Sequence, residues 1–182
     1  MLHLVCNRNL TNKMLDKVAW LCYNDSVIKR RKRRRETMKR VWFDMDGTIA
    51  DLYSVDGWLA DLENENVRPY VEAKPLVNVA IITSLIKEIV KRGYHACVVT
   101  WGSKHASTDY DKRVCEAKKA WLAKTFPEVE WEQIVFYPYG TDKNSVNDGE
   151  EILFDDEERN RKDWQGLAFR PEAMEIVLKN LH

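Results

Sequence analysis

Arg40-Val41-Trp42-Phe43-Asp44-Met45-Asp46-Gly47-Thr48 is the stretch from which the rest of the chain can be read. Three large apolar residues stand in a row and end on a carboxylate, followed by a second carboxylate, a glycine and a hydroxyl residue. A short apolar run closed by turn residues is the pattern of a strand buried on both faces, the kind found in parallel sheets. Side chains alternate along a strand, so the two carboxylates, two positions apart, can share one face where the strand ends.

Downstream the pattern alternates. Val77 to Lys91 reads as a helix, with Val79, Ile82, Leu85, Ile86, Ile89 and Val90 on its apolar side and Gly93 just past its end. His95 to Thr100 is a second strand. Residues 109–125 are a helix with Thr108 as N-cap, Asp109 and Asp111 in the first turn, and Val114, Ala117, Trp121 and Leu122 on the inner stripe. Ile134 to Phe136 and Glu151 to Asp155 are further strands, Leu167 to Phe169 a fifth, and Pro171 to Leu181 a closing helix. This alternation predicts an α/β fold: a Rossmann-like, three-layer α/β/α parallel sheet covered on both faces. In such sheets, sites form at the carboxyl ends of the strands.

The chemistry-bearing residues fall at those ends. The first strand leads to Asp44 and Asp46, the second to Thr100-Trp101-Gly102-Ser103-Lys104, the fourth to Asp155 and Asp156, and Lys143 lies in the turn after the third. Singly, each is an ordinary cap, turn or surface residue; together they place four carboxylates, one lysine and one hydroxyl along one sheet edge. Crowded carboxylates resist ionisation. With no His or Cys among them, a hard divalent cation relieves the repulsion, and Mg²⁺ suits the oxygen-only set. Cation, lysine and hydroxyl together form a phosphate-binding group.

Asp44-x-Asp46-Gly47-Thr48, then Thr100, Lys143 and Asp155-Asp156, resemble in order and context the four motifs of the haloacid-dehalogenase-like (HAD) phosphohydrolase superfamily. The resemblance spans about residues 39–180. The DMDGTIADLY, TWGSK and ILFDDE stretches look most like the 5′(3′)-deoxyribonucleotidase-like branch. It implies that Asp44 is a nucleophile forming an aspartyl-phosphate and that Asp46 is the general acid and base. It implies that Thr100 binds the phosphoryl group and that Lys143 pairs with Asp44 and the phosphoryl oxygens. Asp44, Asp46, Asp155 and Asp156 are the implied Mg²⁺ residues. Gly47 permits the tight turn, and Thr48 braces the loop; Thr48, Trp101 and Lys104 are also the candidate substrate contacts. The expected substrate is a phosphorylated small molecule, a nucleotide first.

Specificity in this superfamily usually resides in a cap inserted after the first motif. Only residues 51–75 can form one here, a very small cap carrying Tyr53, Trp58 and Tyr70. The larger helical cap of known deoxyribonucleotidases does not fit in that length. A polynucleotide-end or small-metabolite phosphatase is the enzymatic alternative. A nucleic-acid-binding accessory protein with a vestigial site is the alternative of another class. Lys104, Lys112 and Arg159 are secondary anion anchors or solvated surface.

The 182 residues carry 29 Lys+Arg and 29 Asp+Glu, a formal net charge of zero. That zero conceals a division: residues 1–40 hold a net +9 and residues 41–182 a net −9. Two parts follow: a basic N-terminal extension over residues 1–38 and a phosphohydrolase-like domain over 39–182. Leu10, Met14, Leu15, Val18, Leu21 and Cys22 suggest one short amphipathic helix in the extension. The run Lys29 to Arg35 has three readings: a charge-driven nucleic-acid or anionic-surface contact, a nuclear-localisation-like cluster, or translated purine-rich sequence ahead of a start at Met38. A chain from Met38 would have 145 residues and a net charge of −7. The four cysteines are scattered without a CxxC pair, as expected of free thiols. The absence of a membrane-length apolar run and of signal-peptide order predicts a cytoplasmic protein with no membrane partner.

Overall fold

A computed structural model describes residues 39–104, 107–149 and 151–182. The basic extension, its expected helix and the start at Met38 therefore lie outside the described residues.

Five strands form one parallel sheet. β1 (Lys39–Phe43) lies at its centre; β2 (Ala50–Asp51) and β3 (Lys74–Pro75) form a separate antiparallel pair. β1 pairs with β4 (Tyr94–Trp101) on one side and with β6 (Ile152–Phe154) on the other. β5 (Gln133–Tyr137) and β7 (Leu167–Phe169) are the edges, giving the order β5-β4-β1-β6-β7. The chain runs from β1 outward through β4 to β5, then returns to the far side of β1. That reversal makes the carboxyl ends of β1, β4 and β6 the crevice of the sheet.

The helices are α1 (Trp58–Glu63), α2 (Arg68–Glu72), α3 (Val79–Lys91), α4 (Thr108–Thr125), α5 (Glu158–Asp163) and α6 (Met174–Asn180). Alternation along each central strand divides the core. Val41, Phe43, Ala96, Val98, Ile152 and Phe154 enter the larger cluster, with Ile82, Ile86 and Ile89 of α3, Trp121 and Leu122 of α4, and Met174 and Leu178 of α6. Trp42, Cys97, Val99 and Leu153 face the other way into a smaller cluster with Trp164. The larger cluster thus receives side chains from α3, α4 and α6, the three longest helices, while the smaller one is completed by the partly buried Val135, Tyr137, Val146 and Ala168.

Local differences from expectation have local causes. Helix α3 starts two residues later than Val77 because the Asn78 side chain accepts the N–H of Ile81. Helix α4 is capped by Ser107, not Thr108: the Ser107 hydroxyl accepts the N–H of Tyr110 at 3.2 Å. The closing helix begins with a 3-10 turn, Pro171–Ala173.

The cap insert leaves and re-enters the body through β2 and β3, where Ala50 pairs with Pro75 and Asp51 with Lys74. Between them stand α1 and α2. Leu52 and Tyr70 bury against Tyr110 and Val114 of α4. The Tyr110 hydroxyl donates to the Asn66 carbonyl at 2.9 Å, and the Trp121 indole N–H donates to the Ala73 carbonyl at 2.7 Å. Among the described residues no helix is long and apolar enough to cross a membrane.

Candidate active site

The loop after β1 winds tightly around the Met45 carbonyl, which receives the N–H groups of Thr48, Ile49 and Ala50. Gly47 takes φ +77, and a Cβ there would lie 2.5 Å from Asp156 Oδ2. Glycine is thus required both for the backbone angle and for the approach of a carboxylate. Asp44, Asp155 and Asp156 meet at this point: one ligand oxygen from each lies within 4.8 Å of the other two.

Lys143 lies at the base of the cluster. It sits in a 3-10 turn, Lys143–Val146, whose N-cap Asp142 accepts the N–H of Asn144. Its Nζ is 2.6 Å from Asp44 Oδ1 and 2.8 Å from Asp155 Oδ2, and the residue is 2% exposed. Burial disfavours the ammonium, but the charges of Asp44 and Asp155 outweigh it and raise the lysine's pKa. Asp155 also accepts from the Asn160 amide, at 3.1 Å on each oxygen, and from the Glu157 N–H at 2.8 Å.

One ammonium does not neutralise three carboxylates. Burial first, and the charge of Asp44 second, push Asp155 up to about 6. The same causes, with Asp155 added, push Asp156 up to about 7. Oxygen donors held this close, with two of them resisting ionisation, fit a hard divalent cation. Asp44, Asp155 and Asp156 are the side chains that would hold it.

The Asp46 carboxylate is not in that group of three and pairs instead with a second lysine. Its Oδ2 is 2.6 Å from Nζ of Lys118, a residue of α4 that is 1% exposed. Burial raises the Asp46 pKa despite the opposing charge of Lys118, and Asp44 adds to the rise. Thr100, fully buried in the body of β4, accepts from the same ammonium at 2.9 Å.

Thr48 is fully buried, is not among the residues of the cavity wall, and braces the loop. Its hydroxyl accepts the Asp156 N–H at 3.1 Å and lies 3.4 Å from Asp44 Oδ2.

Over the carboxylates opens a cavity of about 530 Å³, within the range of roughly 300–1,000 Å³ usual for small-molecule pockets. Asp44, Asp46, Thr100, Lys143 and Asp156 form its polar end. Leu52, Tyr53, Trp58, Leu59, Leu62 and Tyr70 of the cap and Trp101 and Tyr139 of the body form its apolar walls. Lys104 is also in the wall, its ammonium 5.9 Å from the Tyr139 ring. Lys112 and Arg159 are not in the wall. The Arg159 guanidinium instead stacks 4.5 Å from the Trp101 ring. Trp101 lines the cavity, yet its ring is already engaged by Lys143 at 4.7 Å and fixed by an indole N–H bond to the Thr141 carbonyl at 2.8 Å.

Sequence reasoning missed Lys118 and Asn160. For Lys118 a signal existed: it falls four residues after Val114 and three before Trp121, on the apolar stripe of its helix.

No family model matches the chain, and no curated protein matches it. Among solved structures, D,D-heptose 1,7-bisphosphate phosphatase from Burkholderia thailandensis is similar at a TM-score of 0.39 and 14% identity, over 75% of this chain and 74% of that one.

Proposed function

We propose that this chain is a Mg²⁺-dependent phosphomonoester hydrolase of the HAD-like kind, working through an aspartyl-phosphate on Asp44, with a nucleotide as its substrate. The observation that carries the reading is the position of Asp44. It is a strand-end carboxylate paired with a buried lysine, adjoined by two further carboxylates, at the floor of an apolar cavity.

In the first step the Asp44 carboxylate attacks phosphorus, the ester P–O bond breaks, and the leaving oxygen takes a proton from Asp46. In the second, water attacks phosphorus and gives a proton to Asp46, the Asp44–phosphate bond breaks, and inorganic phosphate leaves. Lys143 and the Thr100 hydroxyl hold the phosphoryl oxygens as charge develops on them. Burial raises the Asp46 pKa, the direction expected of a carboxylate that gives and takes a proton in the reaction. A bound Mg²⁺ would neutralise phosphoryl charge and let Asp44, Asp155 and Asp156 stay ionised together.

The nucleotide reading is supported by the aromatic walls. Tyr53 and Trp58 of the cap lie against each other at 5.1 Å, and Trp101 and Tyr139 of the body at 5.2 Å, around a cavity that also contains the carboxylates. Planar bases stack on such surfaces.

The test is phosphate release from deoxy- and ribonucleoside monophosphates, sugar phosphates and 3′-phosphorylated oligonucleotides, with and without Mg²⁺. Mg²⁺-dependent release fastest from a nucleoside monophosphate and lost in Asp44→Asn is the expected result. Metal-dependent turnover that survives Asp44→Asn would refute the nucleophile; a sugar phosphate as best substrate would refute the nucleotide.

A further inference from the structure

Lys118 has three N–H donors and three acceptors within reach. Its Nζ lies 2.6 Å from Asp46 Oδ2, 2.9 Å from Thr100 Oγ1 and 2.6 Å from the Trp101 carbonyl. The Tyr70 ring of the cap stands 5.1 Å from the ammonium. Lysine is almost never this buried without a partner, and desolvating it costs several kcal/mol unless each proton is matched. Here each proton is matched, and two of the three acceptors are groups the proposed reaction uses.

The direction of the Thr100 bond matters. An ammonium can only donate, so the Thr100 oxygen receives from Lys118. The threonine's own hydrogen is then directed away from Lys118 and left to donate. On the other side, one carboxylate oxygen of Asp46 is tied to Lys118, which leaves the second, Oδ1, as the oxygen available to carry a proton. The Trp101 carbonyl anchors the ammonium to the end of β4, so the arrangement depends on backbone as well as side chains.

We propose that Lys118 is a positioning residue of the reaction: it orients Asp46 for proton transfer and commits the Thr100 hydroxyl to donate toward the phosphoryl group. This rests on the reading of Asp44 and Asp46 given above. It goes beyond stability, because a merely structural ion pair would support every substrate and both chemical steps alike.

Leaving-group dependence separates the two. p-Nitrophenolate leaves from phosphorus without a proton, whereas an alkoxide needs one. Water attack on the phosphoenzyme needs Asp46 as base in either case. The variants are Lys118→Met, of similar length and apolar, and Lys118→Gln, which keeps one donor group. They are compared with the parent in Mg²⁺ by rapid quench on p-nitrophenyl phosphate and on an alkyl phosphate, with thermal melting measured alongside.

The expected result has three parts. The variants release about one equivalent of p-nitrophenol per site in a fast burst and then turn over slowly. kcat on the alkyl phosphate falls by on the order of 10²-fold or more, the range for misplacing an acid–base group. Lys118→Gln lies between Lys118→Met and the parent. Equal losses on both substrates with no burst in a folded variant would overturn the proposal, as would wild-type kcat in Lys118→Met. Loss of folding in both variants would also overturn it, by making the residue structural. If instead the parent forms no acid-stable phosphoenzyme on Asp44 under any condition and Asp44→Asn stays active, the underlying reading has failed, not the role of Lys118 within it.

Discussion

Thr48 and Asp156, 108 residues apart, are joined by a hydrogen bond from the Asp156 main-chain N–H to the Thr48 hydroxyl at 3.1 Å. The same hydroxyl lies 3.4 Å from a carboxylate oxygen of each of Asp44 and Asp156. One small buried group thus sets the spacing between the loop after β1 and the loop after β6.

Thr48→Val keeps the shape and removes the hydroxyl. The Asp156 N–H it leaves unpaired is partly buried, so the cost is at most about 1–3 kcal/mol, and the melting temperature should drop by a few degrees. The Mg²⁺ concentration for half-maximal activity should also rise, because Asp156 is no longer held in place. Unchanged melting and unchanged Mg²⁺ dependence would show that the brace is dispensable.

The acidic pair predicts a pH dependence of stability. Burial, and the charge of Asp44 after it, push Asp155 up to about 6 and Asp156 up to about 7 in the folded protein; the ordinary value for an aspartate in an unfolded chain is about 3.9. Between those values the folded protein binds more protons than the unfolded one, so these groups make stability fall as pH rises from about 4 to about 7. Above that window their contribution is constant. In EDTA, Asp156→Asn should therefore melt with a shallower decline across this range than the parent. Mg²⁺ should raise the parent's melting temperature more at pH 8 than at pH 5, where protons occupy the carboxylates. Equal Mg²⁺ effects at both pH values would contradict the assignment of these residues to the cation.

Asp46→Asn leaves Asp44 free to attack but removes the proton carrier. With p-nitrophenyl phosphate a burst should precede slow turnover, and the steady-state rate should fall by about 10²–10⁴-fold. A proportional loss of burst and steady state would assign Asp46 to phosphoryl binding instead.

Tyr110→Phe tests how the cap is fastened. The lost bond to Asn66 is worth about 1 kcal/mol, and the ring stays to pack against Leu52 and Tyr70. KM for the preferred substrate should rise while kcat on p-nitrophenyl phosphate, which makes little use of the cap, stays within about two-fold. A large drop in that kcat would mean that the cap shapes the carboxylate end as well.

Much of this was legible in the residues themselves. Val41-Trp42-Phe43 could be little other than a buried strand, and four polar strand ends in one parallel sheet must meet. What stayed hidden depended on distant partners. Lys118 interrupts an apolar stripe and reads as a surface residue turned slightly inward, because its acceptors at Asp46, Thr100 and Trp101 come from two other elements. Ser107 and Thr108 are both good N-caps, and the choice was made by three-dimensional contact: Glu65 of the cap accepts both the N–H and the hydroxyl of Ser107. Thr48 could be given two roles because spacing alone does not say whether a hydroxyl after a turn points into the cavity or beneath it.

The antiparallel pair Ala50–Asp51 and Lys74–Pro75 brings the two ends of the insert side by side. A segment whose ends already touch can be lengthened or exchanged at small entropic cost, since closing a longer loop adds only about 0.6 kcal/mol per doubling of length. The floor and the roof of the cavity are therefore separable in the chain: the length between Asp51 and Lys74 can change while Asp44, Lys143, Asp155 and Asp156 keep their places.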